Sequence, residues 1–257
     1  MKIRHVTLQD NSSMNLSLDQ LDQVAQALQI QLDRDFTPIW GVHAQVQALD
    51  RGEVVPALAW PMTILDHSDA GLGVHLDKNG KPFAEIEKGT DWSITASHEL
   101  LEMLVDPLGH KLIRDPDIDP ASDGHQVEYL VEVGDPCEVF AYQINAISVS
   151  DFITREFYDT NAPAGTQFDF LGRLNQALEV PDGCYISWFD PQDGKWHQKQ
   201  IDGSFITARQ KANLDKSPRD ERDAAFGDED NALRHDLQRI RARYRPGAPA
   251  KKSAGTA

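Results

Sequence analysis

Residues 92–106 read Trp-Ser-Ile-Thr-Ala-Ser-His-Glu-Leu-Leu-Glu-Met-Leu-Val-Asp. Wound as a helix at about 100° per residue, they gather Thr95, His98, Glu99, Glu102 and Asp106 into one stripe roughly 100° wide. The rest of the circumference carries Trp92, Ile94, Ala96, Leu100, Leu101, Met103, Leu104 and Val105. A helix apolar nearly all round is normally buried. Carboxylates four residues apart repel one another, and burial makes ionised carboxylates costlier still unless something compensates them. A bound cation is the economical compensation. A solvated acidic face would be broader and interleaved with basic residues, yet no Lys or Arg occurs between Lys88 and Lys111. His at i with a carboxylate at i+4 presents two metal ligands on one face, and Glu99 at i+1 is placed to act as a general base.

The surrounding elements must hold such a helix in a core. The 257 residues, with 40% hydrophobic content, suffice for one substantial domain with a small appendage. A formal charge of −16 argues against nucleic-acid and anionic-membrane binding and favours cations or basic partners. No apolar run approaches a membrane span and the first residues lack a signal peptide's apolar stretch, so a cytoplasmic setting with reduced Cys137 and Cys184 is expected. Residues 3–8 predict a strand. Ser17 to Gln20 is a capping box opening a helix with Leu21, Val24, Ala25, Leu28 and Leu32 on one face. Residues 39–46 and 57–65 predict strands, with Pro61 pointing to an edge or irregular position in the second. Asn79-Gly80 marks a hairpin within 71–86. Residues 127–133 predict a strand leading into Gly134-Asp-Pro-Cys-Glu138, with weaker strands across 139–149 and 183–189 and a turn at 190–194. The spaced aspartates of 114–124 suggest a calcium loop, but Pro120 replaces the required Gly and Gln126 the bidentate Glu, so a solvated loop is expected.

The chain changes character near residue 206. Residues 207–227 are polar, 228–245 predict a helix with a basic end, and the last residues predict a disordered tail. The resulting expectation is an α+β domain over 1–205, a twisted mixed sheet packed on the stripe-bearing helix, followed by a helical and disordered extension over 206–257. No internal repeat is visible.

Three ordered segments, 97–107 with Ser-His-Glu-Leu-Leu-Glu-Met-Leu-Val-Asp-Pro, 132–138 with Glu-Val-Gly-Asp-Pro-Cys-Glu, and Ser150-Asp-Phe-Ile153, resemble a group of zincin-like proteins of bacteria and their phages. The resemblance covers roughly residues 36–190. It implies a zincin-like fold, His98 and Glu102 as zinc ligands and Glu99 polarising a water. A catalytic zinc takes about three protein ligands, and the resemblance looks for the third on the segment after the helix. Asp135 is the first choice and Glu132 the second. Asp106, two turns from His98, is expected to end the helix or orient a neighbour. One His with two carboxylates is a harder ligand set than usual and would also accept manganese or calcium. His75 and His125 are the other histidines expected near a cleft, Tyr129 and Tyr158 are more often structural than oxyanion donors, and Cys137 is more often packing than ligand.

The leading expectation is zinc-dependent hydrolysis of a peptide bond, with the 71–86 hairpin offering an edge strand to an extended peptide. The alternatives are a non-catalytic, metal-stabilised structural or interaction protein, virion-associated in one version, and a hydrolase of a non-peptide substrate.

Overall fold

The structure is a computed structural model and describes residues 3–68, 72–208 and 217–226. The helix and tail expected beyond residue 227 lie outside the described residues. The fold is α+β, built on two five-stranded sheets and a hairpin.

The first sheet comprises β1 (Arg4–Asp10), β2 (Ala44–Leu49), β3 (Trp60–Leu65), β4 (Gly73–Lys78) and β5 (Lys81–Glu87), in the order β2-β1-β3-β5-β4. Its first four members in that order are parallel, and β4 runs antiparallel on the edge. Lys78 pairs with Lys81 across Asn79 and Gly80, both at positive φ of 56° and 73°. This is the tight hairpin turn that Asn-Gly favours. Pro61 proves to lie in a central strand, not an edge strand. It pairs with Thr7 on one side, while β5 joins the other side only from Met62 onward, so the missing N–H breaks no ladder bond there.

Helix α1 (Leu18–Ile30) opens with the expected capping box, Ser17 accepting from the Gln20 amide, and continues into π-helical turns at Gln31–Phe36 and a short α2 (Thr37–Trp40). The strand expected from residue 39 therefore starts only at Ala44, because the helical run extends to Trp40 and ends at Gly41 in the left-handed region. Helix α3 (Trp92–Val105) is the stripe-bearing helix. Every residue from Ile94 to Leu104 is buried, as an all-round apolar circumference demands. It packs against β4, β5 and the hairpin of β8 (Ala141–Ile144) and β9 (Ile147–Ser150).

The second sheet, wholly antiparallel, contains β6 (Leu112–Pro116), β7 (Gln126–Leu130), β10 (Ile186–Asp190), β11 (Lys195–Lys199) and β12 (Phe205–Thr207), in the order β12-β11-β10-β7-β6. Strand β7 stops at Leu130, short of the expected residue 133, and the chain then turns inward toward α3. A further helix, α4 (Pro218–Phe226), lies within the segment read as polar extension. Its Phe226 packs with Leu130, Trp196 and Ala208, and its Arg219 amide donates to the Gly109 carbonyl at 3.1 Å.

Candidate metal centre

The polar stripe of α3 needs a fixed rotation about the helix axis, and a buried clamp supplies it. Ser97 Oγ donates to Gln31 Oε1 at 2.7 Å and accepts from the Ser150 amide at 3.0 Å, while Gln31 Nε2 donates to the Ser150 carbonyl at 2.8 Å. Gln31 opens the π-helical turns, a local geometry that re-aims side chains. The clamp ties α3 to α1 and β9 and turns His98, Glu99 and Glu102 toward β4 on one side and the 131–137 segment on the other.

His98 Nε2 lies 3.2 Å from Glu102 Oε2 and 3.2 Å from Asp135 Oδ1. Asp135 sits in a single buried 3-10 turn, Asp135–Cys137, with Pro136 stiffening the backbone. The Gly134 amide donates to Glu102 Oε1 at 3.0 Å, which leaves Oε2 facing the imidazole. Only glycine fits at 134, because a Cβ there would stand 2.5 Å from His98 Nδ1. All of these side chains are buried, His98 at 4%, Glu102 at 3% and Asp135 at 3% exposure.

A second constellation adjoins the first. His75, projecting from edge strand β4, has Nδ1 3.4 Å from Glu99 Oε2 and 3.5 Å from Glu102 Oε2, and Nε2 3.5 Å from Glu132 Oε2. Both Glu132 carboxylate oxygens are buried without a hydrogen bond. The roof comes from α4. Arg222 Nη2 lies 4.0 Å from Glu132 Oε1, and Arg219, 1% exposed, lines the same cavity with all three guanidinium nitrogens free of hydrogen bonds. The cavity, completed by Tyr185, measures about 20 Å³, room for an ion or a water molecule.

The electrostatics follow from burial. Burial opposes charge on the His98 imidazole, but Glu102 and Asp135 outweigh it and hold the His98 pKa well above its ordinary value. Burial and the neighbouring Arg219 push His75 well below its own. Burial and Asp135 raise Glu102, and burial and Glu102 raise Glu132 strongly against the pull of Arg222 and Arg219. The carboxylates are thus short of positive charge. Four of them, on Glu99, Glu102, Glu132 and Asp135, face two guanidiniums. With all four ionised and His98 neutral, as it would be when ligating an ion, the deficit is two charges, what one divalent ion carries.

The donor spacing fits an ion as well. Ligands about 2.0–2.1 Å from a tetrahedral ion stand about 3.3–3.4 Å apart. Separations of 3.2 Å around His98 match that edge and are long for hydrogen bonds between charged groups. The donor atoms of His98, Glu102 and Asp135 all lie within 4.8 Å of one another, as do those of His75, Glu99 and Glu102.

Among the residues singled out in the sequence, His98, Glu99, Glu102, Asp135, Glu132 and His75 come together here. Asp106 does not join them. Its carboxylate accepts from the His110 and Lys111 amides at 2.9 Å each and so holds the turn after α3. His125 lies instead beside Asp123 and Asp190, at 2.8 and 3.0 Å, partly exposed. Tyr129 donates to the Pro116 carbonyl and Tyr158 to that of Leu130, and neither lines the cavity. Cys137 and Cys184 are buried free thiols outside it. Tyr185, Arg219 and Arg222 escaped the sequence reading. Ser217-Pro218, a cap residue before a first-turn proline, was the available signal for α4, and the Ser217 hydroxyl does accept from the Asp220 amide at 3.1 Å.

The chain matches no family model, no curated protein and no solved structure. No helix among the described residues is long and apolar enough to cross a membrane.

Proposed function

We propose that this protein is a zinc-dependent hydrolase acting on peptide bonds, with His98, Glu102 and Asp135 holding the ion and Glu99 serving as general base. The observation that carries the reading is the buried triad, one imidazole with two carboxylate oxygens each 3.2 Å from its Nε2, close to a tetrahedron's edge, in a cavity where four carboxylates face two guanidiniums. The resemblance of segments 97–107, 132–138 and 150–153 to zincin-like proteins adds to it. One imidazole with two carboxylates is also a set that manganese accepts.

His98, Glu102 and Asp135 would hold a divalent ion, which would supply Lewis acidity toward a substrate carbonyl. The chain's own residues do the rest. Glu99, one position round the helix from His98, takes the proton of the attacking water, and His75 Nδ1 at 3.4 Å steadies its carboxylate. Strand β4, which among the described residues pairs with β5 alone, offers its outer edge to an extended peptide. The test is metal analysis combined with cleavage of a peptide library. Glu99→Gln, isosteric but unable to accept the proton, is expected to keep the ion and lose about 10²–10⁴-fold in rate. Retention of wild-type cleavage by that variant would remove Glu99 from the role of base.

A second reading, a metal-stabilised interaction protein without catalysis, draws on the small cavity: 20 Å³ beneath α4 admits an ion but no peptide. The two readings part on whether displacing α4 unmasks cleavage.

A further inference from the structure

We propose that His75, Glu99 and Glu102 form a second divalent-cation site, closed to a second ion by the buried charge of Arg219 and Arg222. The inference rests on the metal centre just described.

The donors of this second group have the spacing of the first. His75 Nδ1 stands 3.4 Å from Glu99 Oε2 and 3.5 Å from Glu102 Oε2, again near the edge of a tetrahedron about an ion. Glu102 Oε2 belongs to both groups and is placed as a bridging atom. Beyond the ring, His75 Nε2 faces Glu132 Oε2 at 3.5 Å, the arrangement by which an outlying carboxylate orients a ligating imidazole. Glu132 itself, 5% exposed and without a hydrogen bond on either oxygen, points into the cavity.

Charge, together with the small volume, limits how many ions the cavity holds. One divalent ion balances the four carboxylates and two guanidiniums, whereas a second adds two uncompensated positive charges in a buried space. Arg219 makes no hydrogen bond through its guanidinium, so its contribution here is its charge. Arg222 sets its own charge 4.0 Å from Glu132. The pair takes the electrostatic place of a second cation. The consequence for the chemistry is direct: a second ion would bind the Glu99 oxygen that the proposed base needs, and the arginines keep it unligated.

The experiment uses the full chain, stripped of metal and reconstituted with Mn²⁺, counting tightly bound ions by elemental analysis and reading spin coupling between adjacent ions by paramagnetic resonance. The wild type is expected to hold one ion per chain. Arg219→Met with Arg222→Met is expected to hold two, spin-coupled, and adding His75→Ala should return the count to one. Arg219→Lys with Arg222→Lys, which keeps the charge, is expected to stay at one. A methionine variant that still holds one ion, a lysine variant that holds two, or a wild type that holds two overturns the inference. No ion in the wild type overturns both this inference and the proposed function, whereas one ion in both the wild type and the methionine variant overturns this inference alone. Should the double methionine variant fail to fold, Arg222→Met, which keeps the buried Arg219 side chain in place, must show a second, weaker Mn²⁺, and a single ion there is equally fatal.

Discussion

Glu102 reaches two imidazoles with one oxygen, 3.2 Å from His98 and 3.5 Å from His75, while its other oxygen is fixed by the Gly134 amide. Each carboxylate around it therefore has a distinct consequence when removed. Asp135→Ala takes a donor from the triad and should weaken metal affinity by at least an order of magnitude, measured by competition with a chromogenic chelator. Asp106→Ala should leave metal affinity nearly unchanged and instead cost about 1–3 kcal/mol in thermal or denaturant unfolding, because the His110 and Lys111 amides lose a buried acceptor. Reversal of the two effects would contradict the placement of both residues. The stripe itself was legible in the sequence, since helical periodicity fixes which residues of one helix share a face. The choice between Asp135 and Glu132 was not, because a side chain's direction near a strand end depends on where the strand stops. Both carboxylates enter the cavity, Asp135 toward His98 and Glu132 toward His75.

The elements around the centre are the antiparallel edge strand of the first sheet, a buried helix and a covering helix. Parallel strands, the Asn79-Gly80 hairpin and α3 follow from local patterns, whereas α4 does not: nine residues with two arginines and few large apolar groups resemble solvated helix until the cavity they cover is known. Its seat depends on Gly109, at φ +66°, where an added Cβ would stand 2.6 Å from Arg219 Cβ. Gly109→Ala should therefore unseat α4, at a backbone cost of about 1–2 kcal/mol for an L-residue in the left-handed region. The expected outcome is extraction of bound metal by a chelator at least several-fold faster than from the wild type, with cleavage of peptides appearing in the same variant if the hydrolase reading holds. An unchanged extraction rate would show that α4 does not govern access.

Away from the cavity, Asp151 and Asp169, both fully buried, form a second acidic pair. Asp151 Oδ1 accepts from the Phe152 and Leu171 amides, Asp169 from those of Arg173 and Leu174, and burial together with the neighbouring Asp169 carboxyl raises the Asp151 pKa well above the ordinary carboxylate value. A group whose folded pKa is raised stabilises fully below its unfolded pKa and loses that contribution as pH rises through the folded value. The fold should accordingly lose stability as pH climbs from about 4 upward. Asp151→Asn, which cannot ionise, should flatten that slope relative to the wild type at constant metal loading. A slope identical in the two proteins would remove the pair from the account. Such a pair was invisible in the sequence, where Ser150-Asp151-Phe152 and Asp169 are eighteen residues apart and nothing local joins them.

The claim on which the rest depends is that the cavity between α3, β4 and the 131–137 segment binds a divalent ion. Its most direct test is elemental analysis of the purified native protein paired with thermal unfolding before and after chelation. One zinc or manganese ion per chain is predicted, absent from His98→Ala. Chelation is predicted to lower the unfolding temperature by on the order of 10 °C, from about 4 kcal/mol of binding linkage when metal exceeds its Kd a thousandfold. Native protein free of metal, with an unfolding temperature that chelation leaves where it was, would contradict the account.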